Sequence, residues 1–241
     1  MNLIVDVGNT YIKLAVFEQS KLLHVMRVTK ENVLETLEKV FHDFPEVSKA
    51  IISSVGNFPD TALQLLQNKL ELLQLTKDTL VPFVNKYATP KTLGVDRIAL
   101  VSAAAIQFPK KNVLIVDVGS CITYDFLTAE NNYLGGGISP GLQMRYKALH
   151  TFTANLPLLS PTLPANTIGD TTEKAIHSGV FLGVVNEIDG FIGFYREKYP
   201  DFIIILTGGD AHLLRDSLKN SIFAIPNFLL EGLDHILEHN T

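Results

Sequence analysis

Two apolar runs end in residues that could do chemistry. Leu3-Ile4-Val5 leads into Asp6, Val7, Gly8, Asn9 and Thr10. Leu114-Ile115-Val116 leads into Asp117, Val118, Gly119 and Ser120, with Thr123 close behind. An apolar stretch that ends in a carboxylate, a glycine and small hydroxyls predicts a buried strand entering a tight turn. Such a turn offers backbone N–H groups and hydroxyls to a phosphate, while the carboxylate holds a cation. Because the pattern occurs twice, the chain reads as two like halves, 1–112 and 113–241. Asp6 and Asp117 are then expected to face each other across a cleft between them. Two carboxylates beside a polyphosphate require cations, and Mg²⁺ suits one or two carboxylates plus water and phosphate oxygens. The reaction this serves is phosphoryl transfer, which also needs an acceptor hydroxyl and a base.

A base candidate lies in Tyr87 to Arg97, YATPKTLGVDR. There Pro90 and Gly94 break regular structure just before the apolar helical run Ile98–Ile106. Two readings of Asp96 stand side by side. A carboxylate at a helix start caps the first turn, or Asp96 and Arg97 project from a loop into the cleft.

The elements that must position these residues follow from periodicity. Residues 2–7, 11–16 and 21–28 read as a strand meander, so the Asp6 turn is a hairpin end. Walker-type loops run from strand to helix instead, and no GxxxxGK[ST] occurs in the sequence. Residues 30–44 carry a helical apolar stripe, 49–55 a strand, 59–73 a second helix through Leu63, Leu66, Leu70 and Leu73, and 81–84 a short strand. The second half repeats the plan, with a partner strand at 123–127, a turn at Asn131-Asn132 and Gly135-Gly136-Gly137-Ile138-Ser139-Pro140-Gly141. Three glycines in a row imply backbone lying close to a ligand or to another backbone. Pro140 starts a helix, 155–166 is an extended proline-rich loop, and 175–195 is a long apolar helix whose glycines serve packing. A strand at 202–206 then ends in Thr207-Gly208-Gly209, and helices at 211–219 and 227–238 close the chain.

Bulk properties narrow the function classes. The 241 residues are 46% hydrophobic, enough for a sizeable core, and carry a net charge of −5 without blocks of like charge. Nucleic-acid binding by a basic face is disfavoured. The one cysteine, Cys121, forms no internal disulfide and fits a reducing compartment, where it reads as a buried small hydrophobe. The N-terminal stretch lacks signal-peptide character, and no run approaches the ~18 apolar residues of a membrane span. A cytoplasmic location without membrane partners is expected. The seven histidines show no metal-ligand spacing.

Taken together, DVGNT at 6–10, GVDR at 94–97, DVGSCIT at 117–123, GGGISPG at 135–141, IGDTTEKAI at 168–176 and TGG at 207–209 resemble the type III pantothenate kinases. These belong to the acetate kinase, sugar kinase, Hsp70 and actin superfamily. The motifs run in family order over nearly the whole chain. The resemblance implies an α/β fold of duplicated ribonuclease-H-like domains, ATP in the interdomain cleft and a homodimer. It also implies ATP-dependent phosphorylation of the primary hydroxyl of pantothenate, the first committed step to coenzyme A. Residue by residue, it implies that Asp6, Val7, Gly8, Asn9, Thr10, Tyr11, Ile12 and Lys13 grip the ATP phosphates, with Asp6 near Mg²⁺. It makes Asp96 the general base. Tyr87, Gly94, Val95, Asp96 and Arg97 hold pantothenate, Arg97 taking its carboxylate. Asp117 binds K⁺ or NH₄⁺, Ser120 contacts ATP, and Thr172 contacts substrate. Ser120 departs from the family, which more often has Thr there; the hydroxyl is kept and a methyl lost. Two other readings use the same scaffold, a nucleotide-binding accessory protein of gene expression and a kinase of another small alcohol.

Overall fold

Strands that are apolar on both faces need cover on both faces, and here it is supplied twice over. The computed structural model describes residues 1–8 and 11–241. The chain forms two compact units, Met1–Pro109 with Phe228–Thr241, and Lys110–Asn227.

The first unit is built on β1 (Asn2–Val7), β2 (Ile12–Glu18), β3 (Lys21–Val28), β4 (Lys49–Ser54) and β5 (Glu71–Gln74), in the spatial order β3-β2-β1-β4-β5. The meander β1–β2–β3 is antiparallel, whereas β4 joins β1 and β5 joins β4 in parallel. On one face Leu3, Val5, Val7, Ile12, Leu14 and Val16 pack with α1 (Val33–Asp43) and α2 (Asp60–Lys69). On the other lie α3 (Val95–Gln107) and α8 (Phe228–Asn240), which pack on each other and on β4. A two-residue strand, β6 (Val84–Asn85), precedes α3.

The second unit repeats this plan with β7 (Val113–Val118), β8 (Cys121–Leu127), β9 (Asn132–Pro140), β10 (Ile203–Thr207) and β11 (Phe223–Ala224), in the order β11-β10-β7-β8-β9. Again the first three strands form an antiparallel meander and β10 and β11 add in parallel. Its helices are α4 (Leu142–Thr151), α5 (Thr172–His177), a π turn at Ser178–Leu182, α6 (Gly183–Lys198) and α7 (Ala211–Leu214). The stretch Thr172–Lys198 is long and apolar enough, by length and composition, to cross a membrane. Its Val180, Phe181, Val184, Val185, Ile188 and Ile192 nonetheless form the core of this unit with Leu114, Val116 and Val118.

Two expectations are corrected and one open alternative is resolved. The second helix stops at Lys69; of the residues that extended its stripe, Leu70 is the C-cap and Leu73 belongs to β5. The glycine run is a strand, β9. A Cβ on Gly136 would lie 1.6 Å from the Tyr124 carbonyl oxygen, so the close approach is to the backbone of β8. Finally, α8 was expected within the second half, 113–241, and the structure places it in the first unit. Its buried Phe228, Leu230, Leu233, Ile236 and Leu237 form the face that covers α3, β1 and β4. Asn2 fixes it further by donating to Asp234 at 2.8 Å and to Glu238 at 2.6 Å.

Candidate functional site

In a strand, alternate side chains share a face. Since Leu3, Val5 and Val7 face α1 and α2, Asp6 must lie on the α3 side. Its neighbours in the ladder are Lys13 on β2 and Ser53 on β4. The Ser53 hydroxyl is buried and makes no hydrogen bond among the described residues. Burial pushes the Asp6 carboxyl up to about 6. The Lys13 ammonium opposes the rise and the nearby Asp96 carboxylate adds to it. Asp6, Lys13 and Asp96, far apart in sequence, therefore share one electrostatic neighbourhood within the first unit. The turn after β1 closes where the Gly8 N–H donates to the Tyr11 carbonyl at 3.0 Å. Tyr11 is exposed, with the Arg27 guanidinium carbon 3.8 Å from its ring centroid. Val7 and Ile12, paired across β1 and β2, are buried core residues. The ATP-binding expectation for Asn9 and Thr10 lies outside the described residues.

The start of α3 departs from both readings of Asp96, which is neither the cap nor in a loop but within the first helical turn. Gly94 occupies the cap position, Val95 opens the helix, and Asp96 sits one residue further in. Its Oδ1 accepts from the Arg97 N–H at 2.8 Å. The same oxygen lies where a Cβ on Gly94 would stand, at 2.3 Å. Asp96 is thus not the cap; its carboxylate is folded back over Gly94, held by one first-turn amide and partly exposed. Arg97 is buried, and its guanidinium carbon stands 5.4 Å from the Tyr87 ring centroid. Tyr87 thus stands beside the head of α3, where Gly94, Asp96 and Arg97 follow one another in the chain.

In the second unit the same alternation puts Asp117 on the face away from α6, because Leu114, Val116 and Val118 face that helix. Its ladder neighbours are Thr123 on β8 and Thr207 on β10. The Thr123 hydroxyl is buried and makes no hydrogen bond among the described residues. Ser120 is exposed at the following turn, which the Gly119 N–H closes by donating to the Cys121 carbonyl at 2.9 Å. Cys121 is only half-buried, so the expectation of a buried hydrophobe is not met. Gly208 lies against the carboxylate with φ +97°, and a Cβ there would stand 2.4 Å from both Asp117 Oδ1 and the Val118 carbonyl oxygen. Gly208→Ala should therefore cost about 3 kcal/mol through backbone strain and clash. Chemical denaturation checks this; an unchanged midpoint would show that the loop yields freely.

Sequence reasoning missed Ser53, and it did not single out Thr207 beside Asp117. The signal was present: the parallel strands AIIS at 50–53 and IILT at 204–207 each run from apolar residues to a terminal hydroxyl. Thr172 is the exposed first residue of α5, whose cap Thr171 accepts from the Lys174 N–H at 3.2 Å. No cluster of three or more His, Cys, Asp or Glu residues suited to a metal exists among the described residues. What each unit offers a cation is one carboxylate beside a buried hydroxyl, an all-oxygen donor set that suits Mg²⁺ or K⁺ when phosphate and water complete it.

Comparison with known proteins fits this geometry. The family model described as type III pantothenate kinase matches residues 2–193. The chain belongs to the type III pantothenate kinase family. It is 51% identical over 239 residues to the type III pantothenate kinase of Flavobacterium johnsoniae, covering 99% of this chain and 98% of that one. It is equally 51% identical over 240 residues to that of Christiangramia forsetii, covering 100% and 99%. Among solved structures, a ROK family glucokinase from Streptomyces griseus in complex with glucose and AMPPNP aligns over 99% of this chain and 98% of its own. The TM-score is 0.53 at 11% identity, a likeness of fold alone. The duplicated ribonuclease-H-like plan of this type III pantothenate kinase family member is thus that of the actin-like ATPase kinases.

Proposed function

We propose that the chain phosphorylates pantothenate with ATP to give 4'-phosphopantothenate, the entry step of coenzyme A biosynthesis. The family relationship supplies the reaction. The observation that supports it in this chain is the Asp96 carboxylate, presented at the head of α3 within the electrostatic reach of Asp6. In this reading Asp6, Val7, Gly8, Asn9, Thr10, Tyr11, Ile12, Lys13 and Ser120 hold ATP. Tyr87, Gly94, Val95, Arg97 and Thr172 hold pantothenate.

The acceptor's primary hydroxyl gives its proton to Asp96 as its oxygen bonds the γ-phosphorus and the β,γ-bridging bond breaks, releasing ADP. Lys13 and the turn amides stabilise charge that builds on the phosphoryl oxygens. Mg²⁺ beside Asp6 and K⁺ or NH₄⁺ beside Asp117 would neutralise the polyphosphate when bound, and the buried Ser53 and Thr123 hydroxyls fit such oxygen-ligated ions. Arg97 takes the pantothenate carboxylate, so Arg97→Ala should raise the KM for pantothenate about a hundredfold and move that for ATP far less. Steady-state kinetics decide; equal losses for both substrates would make Arg97 structural.

The homodimer working in the cytoplasm rests on the family relationship, and the net charge of −5 speaks against nucleic acid as a partner. The test of the whole reading is ADP release from purified protein with ATP, Mg²⁺ and pantothenate, in K⁺ or NH₄⁺ and then in Na⁺. Turnover that needs pantothenate and falls in Na⁺ is the expected result. Nucleotide binding without pantothenate-dependent turnover would overturn it.

A further inference from the structure

The GGGISPG motif is not exhausted by its role as a strand. Its end is tied to the turn that carries Ser120. The Gly141 N–H donates to the Ser120 carbonyl at 3.1 Å. A Cβ on Gly141 would meet the carbonyl oxygens of Gly119 and Ser120 at 2.2 and 2.6 Å, so the two backbones lie in direct contact. Whatever fixes residues 139–141 therefore fixes the Gly119–Ser120 turn.

The β8–β9 ladder holds this end, and one side chain ties it further. Arg145, on the first turns of α4, donates from Nε to the Pro140 carbonyl at 2.8 Å and from Nη2 to the Ser139 hydroxyl at 2.8 Å. The same Nη2 reaches Glu187 Oε2 on α6 at 2.5 Å, and Tyr124 OH donates to Glu187 Oε1 at 2.8 Å. Arg145 and Glu187 are each only about a fifth exposed, so the pair is poorly screened. Burial pushes the Glu187 carboxyl up, but hydrogen bonds with Arg145, Ser139 and Tyr124 outweigh it and hold it below its usual range. Tyr124 is pushed far up, by burial and then by that same carboxylate, and stays a protonated donor. The guanidinium fork thus joins a core helix, α6, and a core strand, β8, to the end of β9. A planar five-donor group is suited to this, since it satisfies a carbonyl, a hydroxyl and a carboxylate at once.

We infer that Arg145, anchored by Glu187 and Tyr124, is a positioning residue for the Gly119–Ser120 turn and through it for ATP. Among the described residues its side-chain hydrogen bonds reach none of those assigned to substrate; it acts through Pro140 and Gly141. The inference rests on the reading of Ser120 as an ATP contact.

Arg145→Ala and Arg145→Lys separate positioning from folding. In the full-length protein without nucleotide, amide hydrogen exchange over residues 118–123 should quicken in Arg145→Ala while that of β1 and α3 stays unchanged. The KM for ATP should rise roughly tenfold, as small misplacements do, with kcat and the KM for pantothenate changed far less. Arg145→Lys, which keeps the charge against Glu187, should recover part of the loss. Unchanged exchange at 118–123 would overturn the inference directly. A loss spread over kcat and both KM values, in step with a lowered Tm, would overturn it as mere destabilisation. Quickened exchange with an unaltered KM for ATP would overturn it by removing Ser120 from the ATP site.

Discussion

Asp96→Asn protein should lose about three orders of magnitude in kcat, within the range that a positioned general base contributes, while still binding ATP. The substitution is nearly isosteric. The Asn side-chain oxygen still accepts from the Arg97 N–H, as Asp96 Oδ1 does at 2.8 Å, so the first turn of α3 keeps its bond. The cap is Gly94, not residue 96, and helix stability should change little. What disappears is a group able to take the hydroxyl proton. Turnover assayed with ATP and pantothenate, alongside nucleotide titration by calorimetry, checks both halves. A kcat within about tenfold of the parent would reduce Asp96 to a residue that orders the helix start.

Asp6→Asn should move activity and stability in opposite directions. The Asp6 carboxyl titrates near 3.8 when unperturbed and about 6 in the folded protein, because burial disfavours its charged form. Folding therefore favours the protonated acid. The stability this group contributes is complete below about pH 4 and is lost as pH rises through about 6. At pH 7.5 the buried charge is a net cost of about 3 kcal/mol. Chelator-treated Asp6→Asn protein should melt a few degrees higher than the parent at pH 7.5, with the gain fading as the pH falls toward 4. Its kcat with ATP and Mg²⁺ should fall by about a hundredfold or more, as expected when charge stabilisation of the transferring phosphoryl group is removed. A melting temperature that drops at pH 7.5 would mean that Lys13 already compensates the charge.

Much of this arrangement was written in plain form in the chain. The two apolar runs that end in Asp-Val-Gly are β1 and β7, and the meander that follows each carries the antiparallel register that sets Lys13 beside Asp6 and Thr123 beside Asp117. What stayed hidden is what depends on parallel partners distant in sequence. Ser53 has no motif around it; only the β1–β4 register gives it meaning. Leu70 continued a helical stripe that ends at Lys69, because a four-residue strand such as β5 is too short to show its own period. The glycines of β9 announced close backbone contact without saying with what, and the answer, the Tyr124 carbonyl, lies on another strand. The position of α8 was equally out of reach: its apolar stripe states that it must be covered, not by which unit.

That position has a consequence for how the molecule comes into being. The second unit is made of unbroken chain, Lys110–Asn227, and can complete its core while still near the site of synthesis. The first unit begins with residue 1 but lacks a layer until α8 arrives, since α8 covers α3, β1 and β4. Asp6 and Asp96 sit on the face that waits for it. The half of the protein that is made first is therefore finished last, and a ribosome that stalls before residue 228 leaves a closed second unit attached to an open, apolar sheet.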